Sequence, residues 1–120
     1  MEDVHSRVPG ITFDLASIAN ELRGEGVYER DGHTARTLVR ETDLRVVLVV
    51  MKSGGTIKEH RAKETASIHL LSGRVRVRLR DRLVDLPSGR LLVLEGGLRH
   101  TVEAVDESAF LLTLGWLPIP

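Results

Sequence analysis

From Thr34 onward, the sequence consists of short apolar or β-branched segments separated by turns that are mostly rich in glycine. The segments are Thr34–Arg40, Arg45–Met51, Ala66–Leu71, Arg74–Arg80, Leu83–Leu86, Leu91–Leu94, Thr101–Ala104 and Phe110–Trp116. Evenly spaced short strands with glycine-bearing turns are typical of an antiparallel sandwich or barrel. The longest apolar run, Val46–Met51, is far too short to span a membrane. This pattern predicts a small all-β domain.

The segment Arg74–Arg80 alternates arginine with valine or leucine at every position. Such alternation indicates a strand with one face in the core and the other exposed. The arginine face has two interpretations, a solvated surface with balanced charge or an anion-binding site. Because the chain has 17 Lys and Arg against 17 Asp and Glu, the sequence favours the solvated surface.

The residues before Thr34 have a different periodicity. Apolar residues recur at helical spacing, at Ile11, Leu15, Ile18 and Leu22. Asp14 is a suitable N-cap, and Gly24 and Gly26 follow as stop signals. We therefore predict a short amphipathic helix over Leu15–Arg23. The domain organisation expected is an N-terminal segment, 1–33, followed by one β domain, 34–117.

The composition excludes several classes of protein. The chain has no cysteine, which rules out disulfides, thiolate ligands and a cysteine nucleophile. Its zero net charge and few aromatic residues argue against a nucleic-acid or membrane partner. The first ten residues contain no apolar stretch typical of a signal peptide. We therefore expect a cytoplasmic protein.

Two stretches with glycine and histidine at fixed spacing resemble the paired motifs of the cupin family. The pattern G-x5-H-x-H-x3-E-x6-G aligns with Gly54, His60, Ala62, Ala66 and Gly73. The pattern G-x5-P-x-G-x2-H-x3-N aligns with Gly89, Glu95, Gly97, His100 and Ala104. With its strands, the resemblance covers roughly Thr34 to Trp116. It implies a cupin double-stranded β-helix, a jelly-roll barrel, here preceded by the short helix.

The resemblance also implies a degenerate metal site. In metal-binding cupins, the two histidines and the glutamate of the first motif and the histidine of the second hold one cation. The corresponding residues here are His60, Ala62, Ala66 and His100. Two imidazoles make a poor site for iron, nickel, manganese or zinc, because such sites normally have about three or more protein ligands.

Two neighbouring side chains are candidates to complete a divalent-metal site with the two histidines. Glu64 lies four residues after His60, on the same face if the strand continues. His69 lies three residues after Ala66, and strict alternation would place it on the opposite face from that ligand position. A bulge in this strand would bring it to the same face. The sequence leaves open whether any metal binds.

Three functions remain open at this point. The first is binding of a small molecule in the barrel cavity, with His60 and His100 as polar anchors and Met51 and Trp116 as wall residues. The second is a metal-dependent enzyme, of oxygenase or isomerase type, with a remodelled ligand set. The third is a structural or interaction protein. Because many strand residues are apolar on both faces, we also expect a homodimer whose contact includes one outer sheet face and the N-terminal segment around Phe13 to Leu22.

Overall fold

The computed structural model describes residues 10–60 and 62–115, without the side chains of residues 59 and 60. Its two helices are α1 (Leu15–Arg23) and α2 (Gly26–Asp31). The nine strands are β1 (His33–Arg40), β2 (Leu44–Met51), β3 (Thr56–His60), β4 (Thr65–Ser72), β5 (Arg74–Arg78), β6 (Leu83–Pro87), β7 (Leu91–Leu94), β8 (His100–Ala104) and β9 (Ser108–Gly115). The eight predicted strands are confirmed to within two residues at every described end, and Trp116, the predicted end of the last strand, lies outside the described residues. None of the described helices is long and apolar enough to cross a membrane.

Helix α1 has the predicted bounds, and its predicted N-cap is confirmed. The backbone N–H of Ser17 donates to Asp14 Oδ1 at 3.1 Å. Helix α2 was not predicted, because Gly24 and Gly26 were interpreted as stop signals. Gly24 instead has right-handed helical dihedral angles, and a second helix begins at Gly26.

The strands form two antiparallel sheets. The five-stranded sheet has the order β1-β2-β9-β4-β7, and the four-stranded sheet has the order β3-β8-β5-β6. Strand β3 was also not predicted, because Ile57 is its single apolar residue and its other four residues are polar. Two antiparallel sheets with crossing connections make the jelly-roll architecture that the sequence predicted.

Strand β5 shows how the alternating pattern builds the core. Val75, Val77 and, just beyond the strand, Leu79 are buried, whereas Arg76 and Arg78 are exposed. The main core lies between the two sheets and contains the inward side chains Val49, Met51, Ile68, Leu70, Val75, Val77, Leu79, Leu86, Leu94, Val102, Ala104 and Phe110. Its boundary at one end of the four-stranded sheet forms the candidate site.

The helices cover part of the outer face of the five-stranded sheet. Ala19, Leu22 and Tyr28 pack there against Leu48, Val50 and Ala109 of β2 and β9. The face near the edge strand β7 is less covered, since Leu91 and Val93 are 60% and 59% exposed.

Gly73, the last glycine of the first cupin-like motif, has a clear structural role. It links β4 to β5 with φ of 84°, a conformation that other residues rarely adopt. A Cβ at this position would collide with the Glu107 carbonyl oxygen and with Ser108. The motif spacing therefore reflects a tight turn of the barrel.

Candidate functional site

His100 is the centre of the candidate site. It is the first residue of β8, whose alternation turns His100, Val102 and Ala104 toward the interior, and only 6% of it is exposed. Its Nδ1 lies 3.2 Å from the carbonyl oxygen of Leu98. In the neutral tautomer that donates from Nδ1 to this carbonyl, Nε2 is the acceptor nitrogen.

A small interior cavity adjoins the imidazole of His100. Its volume is about 50 Å³, and it is lined by Val49, Ile57, Ile68, His100, Val102, Phe110 and Leu112. Among these described residues, His100 contributes the polar side chain. A space of this size accepts a few water molecules or one small chemical group.

A larger groove lies outside this cavity and also includes His100. Its volume is about 620 Å³, and it is lined by Arg78, Leu79, Arg80, Gly97, Leu98, Arg99, His100 and Thr101. Binding sites for small molecules typically have volumes of roughly 300–1,000 Å³. His100 thus lines both the apolar cavity and the open groove.

The groove is strongly cationic. Arg78, Arg80 and Arg99 line it, and its described lining contains no acidic residue. The register of β5 with β8 pairs Arg78 with Thr101, directly after His100. Sequence reasoning considered an anion-binding site on the arginine face of Arg74–Arg80 only as the less favoured alternative, because the pairing that brings Arg78 to Thr101 is non-local. The available signal was Arg99, immediately before the second-motif histidine.

The other end of the arginine face of β5 has acidic neighbours. Arg74 forms an ion pair with Asp85. Arg76 lies in register with Asp85 on one side and with Glu103 on the other. In the described part of the chain, no ion pair involves Arg78. The prediction of a solvated, balanced surface therefore fits one end of the strand, whereas the other end lines the groove.

The two motif histidines meet in the backbone register. Strands β3 and β8 are antiparallel neighbours, and His60 is the direct partner of His100 beyond a bulge after Ile57. The side chain of His60 lies outside the described residues, as does the whole of Trp116. Their predicted roles in binding remain predictions.

The remaining predicted site residues do not line either described space. Glu64 is half-buried in the loop before β4, where its backbone faces Gly96. His69 is exposed on the outer face because β4 alternates, with Ile68 and Leu70 turned inward. Met51 is fully buried in the main core. The structure therefore does not bring Glu64, His69 or Met51 to the described lining around His100.

The described residues do not fit a four-ligand metal site. Ala66, at the position of the motif glutamate, is buried on the inward side of β4 with Ile68. Neither Ala62 nor Ala66 has a side chain that can bind a metal. Within residues 10–60 and 62–115, apart from the undescribed side chains, no three His, Cys, Asp or Glu residues cluster around one point.

The similarity of the chain to known proteins lies in its structure. No protein-family model matches the sequence, and no curated protein matches it. A conserved protein of unknown function from Streptococcus pyogenes is 23% identical with a TM-score of 0.73, covering 96% of this chain and 94% of its own. A cupin superfamily protein from Desulfitobacterium hafniense is 14% identical with a TM-score of 0.67, covering 69% of this chain and 76% of its own.

An oxalate decarboxylase variant from Bacillus subtilis is 28% identical with a TM-score of 0.66. The match covers 71% of this chain but only 26% of the decarboxylase. The similarity therefore extends over one barrel rather than over that whole enzyme. The two-sheet topology, the motif glycine at Gly73 and these matches together show that the chain has the fold of the cupin superfamily.

Proposed function

We propose that this protein binds a small molecule at the mouth of its barrel without a resident metal, using His60 and His100 as polar anchors. The observation that supports this most is the position of His100, which is buried and lines both the 50 Å³ cavity and the 620 Å³ groove. A ligand in the groove can thus hydrogen-bond an imidazole and place a small apolar group in the cavity.

The surroundings of His100 suit a recognition role. The contact of Nδ1 with the Leu98 carbonyl holds the ring orientation, so a ligand in the groove meets a pre-oriented imidazole. The cavity walls are aliphatic or aromatic apart from His100. Each ligand CH₂ buried against them contributes about 0.8 kcal/mol.

A metal-dependent enzyme with a remodelled ligand set is the second candidate. It is supported by the register that makes His60 and His100 direct partners. Such an enzyme needs at least one more ligand, and Glu64 is a half-buried carboxylate between the ligand positions Ala62 and Ala66. It would have to move from its present loop position to join the two histidines.

Protein-observed NMR with mixtures of small neutral and charged fragments tests the binding proposal. We expect hits to shift backbone resonances of residues 97–102 first. His100→Ala should weaken those hits about tenfold or more, since a lost hydrogen bond to a buried group corresponds to roughly 1–3 kcal/mol.

His69→Ala is the matched control, because His69 is an exposed histidine on the outer face of β4. It should leave fragment affinity unchanged. Equal weakening by both variants, or hits that map only outside the groove and cavity, would contradict the proposal. Circular dichroism establishes that each variant is folded, and His100→Gln provides a second, polar substitution.

A further inference from the structure

We infer that the ligand of this site carries an oxyanion, a carboxylate or a phosphate, that is held by Arg78, Arg80 and Arg99. This inference rests on the proposed binding function and adds the chemical class of the ligand. The three guanidinium groups line one groove with His100 and Thr101. Guanidinium groups bind carboxylate and phosphate oxygens through paired, charge-assisted hydrogen bonds.

The fold brings these arginines together from the end of one strand and from two loops. Arg78 ends β5, and Arg80 follows two residues later on the same exposed side, with the buried Leu79 between them. Arg99 belongs to the loop before β8, and Thr101 pairs with Arg78 across the strands. The three arginines therefore line the same groove as His100.

The distribution of acidic residues supports an anion at this end of the sheet. At the other end of β5, Arg74 and Arg76 have Asp85 and Glu103 as cross-strand neighbours. The described groove lining has three arginines and no carboxylate. Arg78 and Arg80 form no ion pair within the described residues. In a chain of zero net charge, they place positive charge in a concave surface, which concentrates the field on an entering anion.

The groove and the cavity together indicate the shape of the ligand. The arginines are exposed at the groove, whereas the apolar cavity lies on the inner side of His100. A small organic acid suits this arrangement, because its anionic group would lie at the arginines of the groove and its short apolar part would lie beside the imidazole of His100. Individual exposed ion pairs are weak, so we expect several arginines to share one oxyanion.

Isothermal titration calorimetry with three probes tests the inference. Succinate and inorganic phosphate supply the two kinds of oxyanion, and succinamide is a neutral analogue of succinate. At low ionic strength we expect at least one anion to bind and succinamide to bind about tenfold or more weakly. The anion that binds with the higher affinity identifies whether the ligand carries a carboxylate or a phosphate.

Two arginine variants, compared with one control variant, test whether the anion binds in the groove. Arg78→Gln and Arg80→Gln should each weaken the anion about tenfold, whereas Arg76→Gln should leave its affinity nearly unchanged. Arg76 is the matched control because it has the same charge on the same exposed face of β5 but lies outside the groove. Equal losses in all three variants would show attraction by surface charge alone and overturn the inference.

The remaining outcomes also separate the inference from the proposed function. Equal affinity for succinate and succinamide, or binding of neither anion, would overturn the anionic ligand. Neutral fragments that still shift residues 97–102, and lose affinity in His100→Ala, would leave the binding proposal intact. If fragment affinity is unchanged in His100→Ala while anion affinity falls in Arg78→Gln, the proposed function alone is overturned.

Discussion

Restoring the two ligand positions occupied by alanine tests the residue-level alignment with the cupin motifs. The double variant Ala62→His with Ala66→Glu should complete a four-ligand set with His60 and His100. Ala66 is 4% exposed on the inward side of β4, and His60 is the direct strand partner of His100. Imidazole and carboxylate together suit divalent iron, nickel and manganese.

The burial of Ala66 sets the size of the expected effect. If burial raises the pKa of the new carboxyl by about two units, the apo variant loses about 2.7 kcal/mol of unfolding free energy at neutral pH. Nickel at 100 times its Kd raises the free energy of unfolding of the variant by about 2.7 kcal/mol. At about 4 °C per kcal/mol for a domain of this length, the melting temperature should fall and then rise by roughly 10 °C.

Calorimetric titration and thermal melting with nickel check this prediction. The double variant should bind nickel orders of magnitude more tightly than the wild type and lose affinity below about pH 6, as its histidines protonate. A folded variant that binds nickel no better than the wild type would refute the alignment. Tight binding by the wild type would instead favour the metal-dependent enzyme.

Three further predictions concern assembly and stability. We propose a homodimer that covers Leu91 and Val93 on the five-stranded sheet. Sedimentation should show a dimer at micromolar concentration and a larger fraction of monomer for Val93→Lys. A monomeric wild type would contradict this proposal. Ser108 is fully buried, and its hydroxyl accepts from the Arg74 N–H and lies within hydrogen-bond distance of the Arg74 and Asp106 carbonyls. Ser108→Ala should therefore lower the free energy of unfolding by about 1–3 kcal/mol, measured by urea denaturation. A change under about 0.5 kcal/mol would argue against this role. Burial, and secondarily Glu107, raises the pKa of Tyr28. Because the unfolded chain loses the phenol proton at lower pH than the folded chain, the free energy of unfolding should fall as the pH rises above 10. An equally steep fall in Tyr28→Phe would contradict this.

Most of the fold could be predicted from local patterns in the sequence. The alternation over Arg74–Arg80 was enough to identify a half-buried strand, and its valines are buried as expected. Helix α1 followed from its apolar spacing and from Asp14. Strand β3 could not be predicted, because it contains one inward apolar residue, Ile57, and gains its order from pairing with β8.

The site was harder to predict because it depends on contacts distant in sequence. The spacing of the second motif identified His100, and alternation placed His69 on the outer face. The groove instead requires Arg78 to lie beside Thr101, which is 23 positions later in the chain. No local pattern specifies that register, so the sequence favoured a solvated arginine face over the anion-binding site that it left as the alternative.

Elemental analysis of the protein, purified without an affinity tag or added metal, tests the central claim most directly. The account predicts a metal content far below one ion per chain, since alanine occupies two of the four ligand positions. The same preparation should still bind fragments through His100. Stoichiometric iron, nickel, manganese or zinc that is lost in His100→Ala would contradict a metal-free binding pocket.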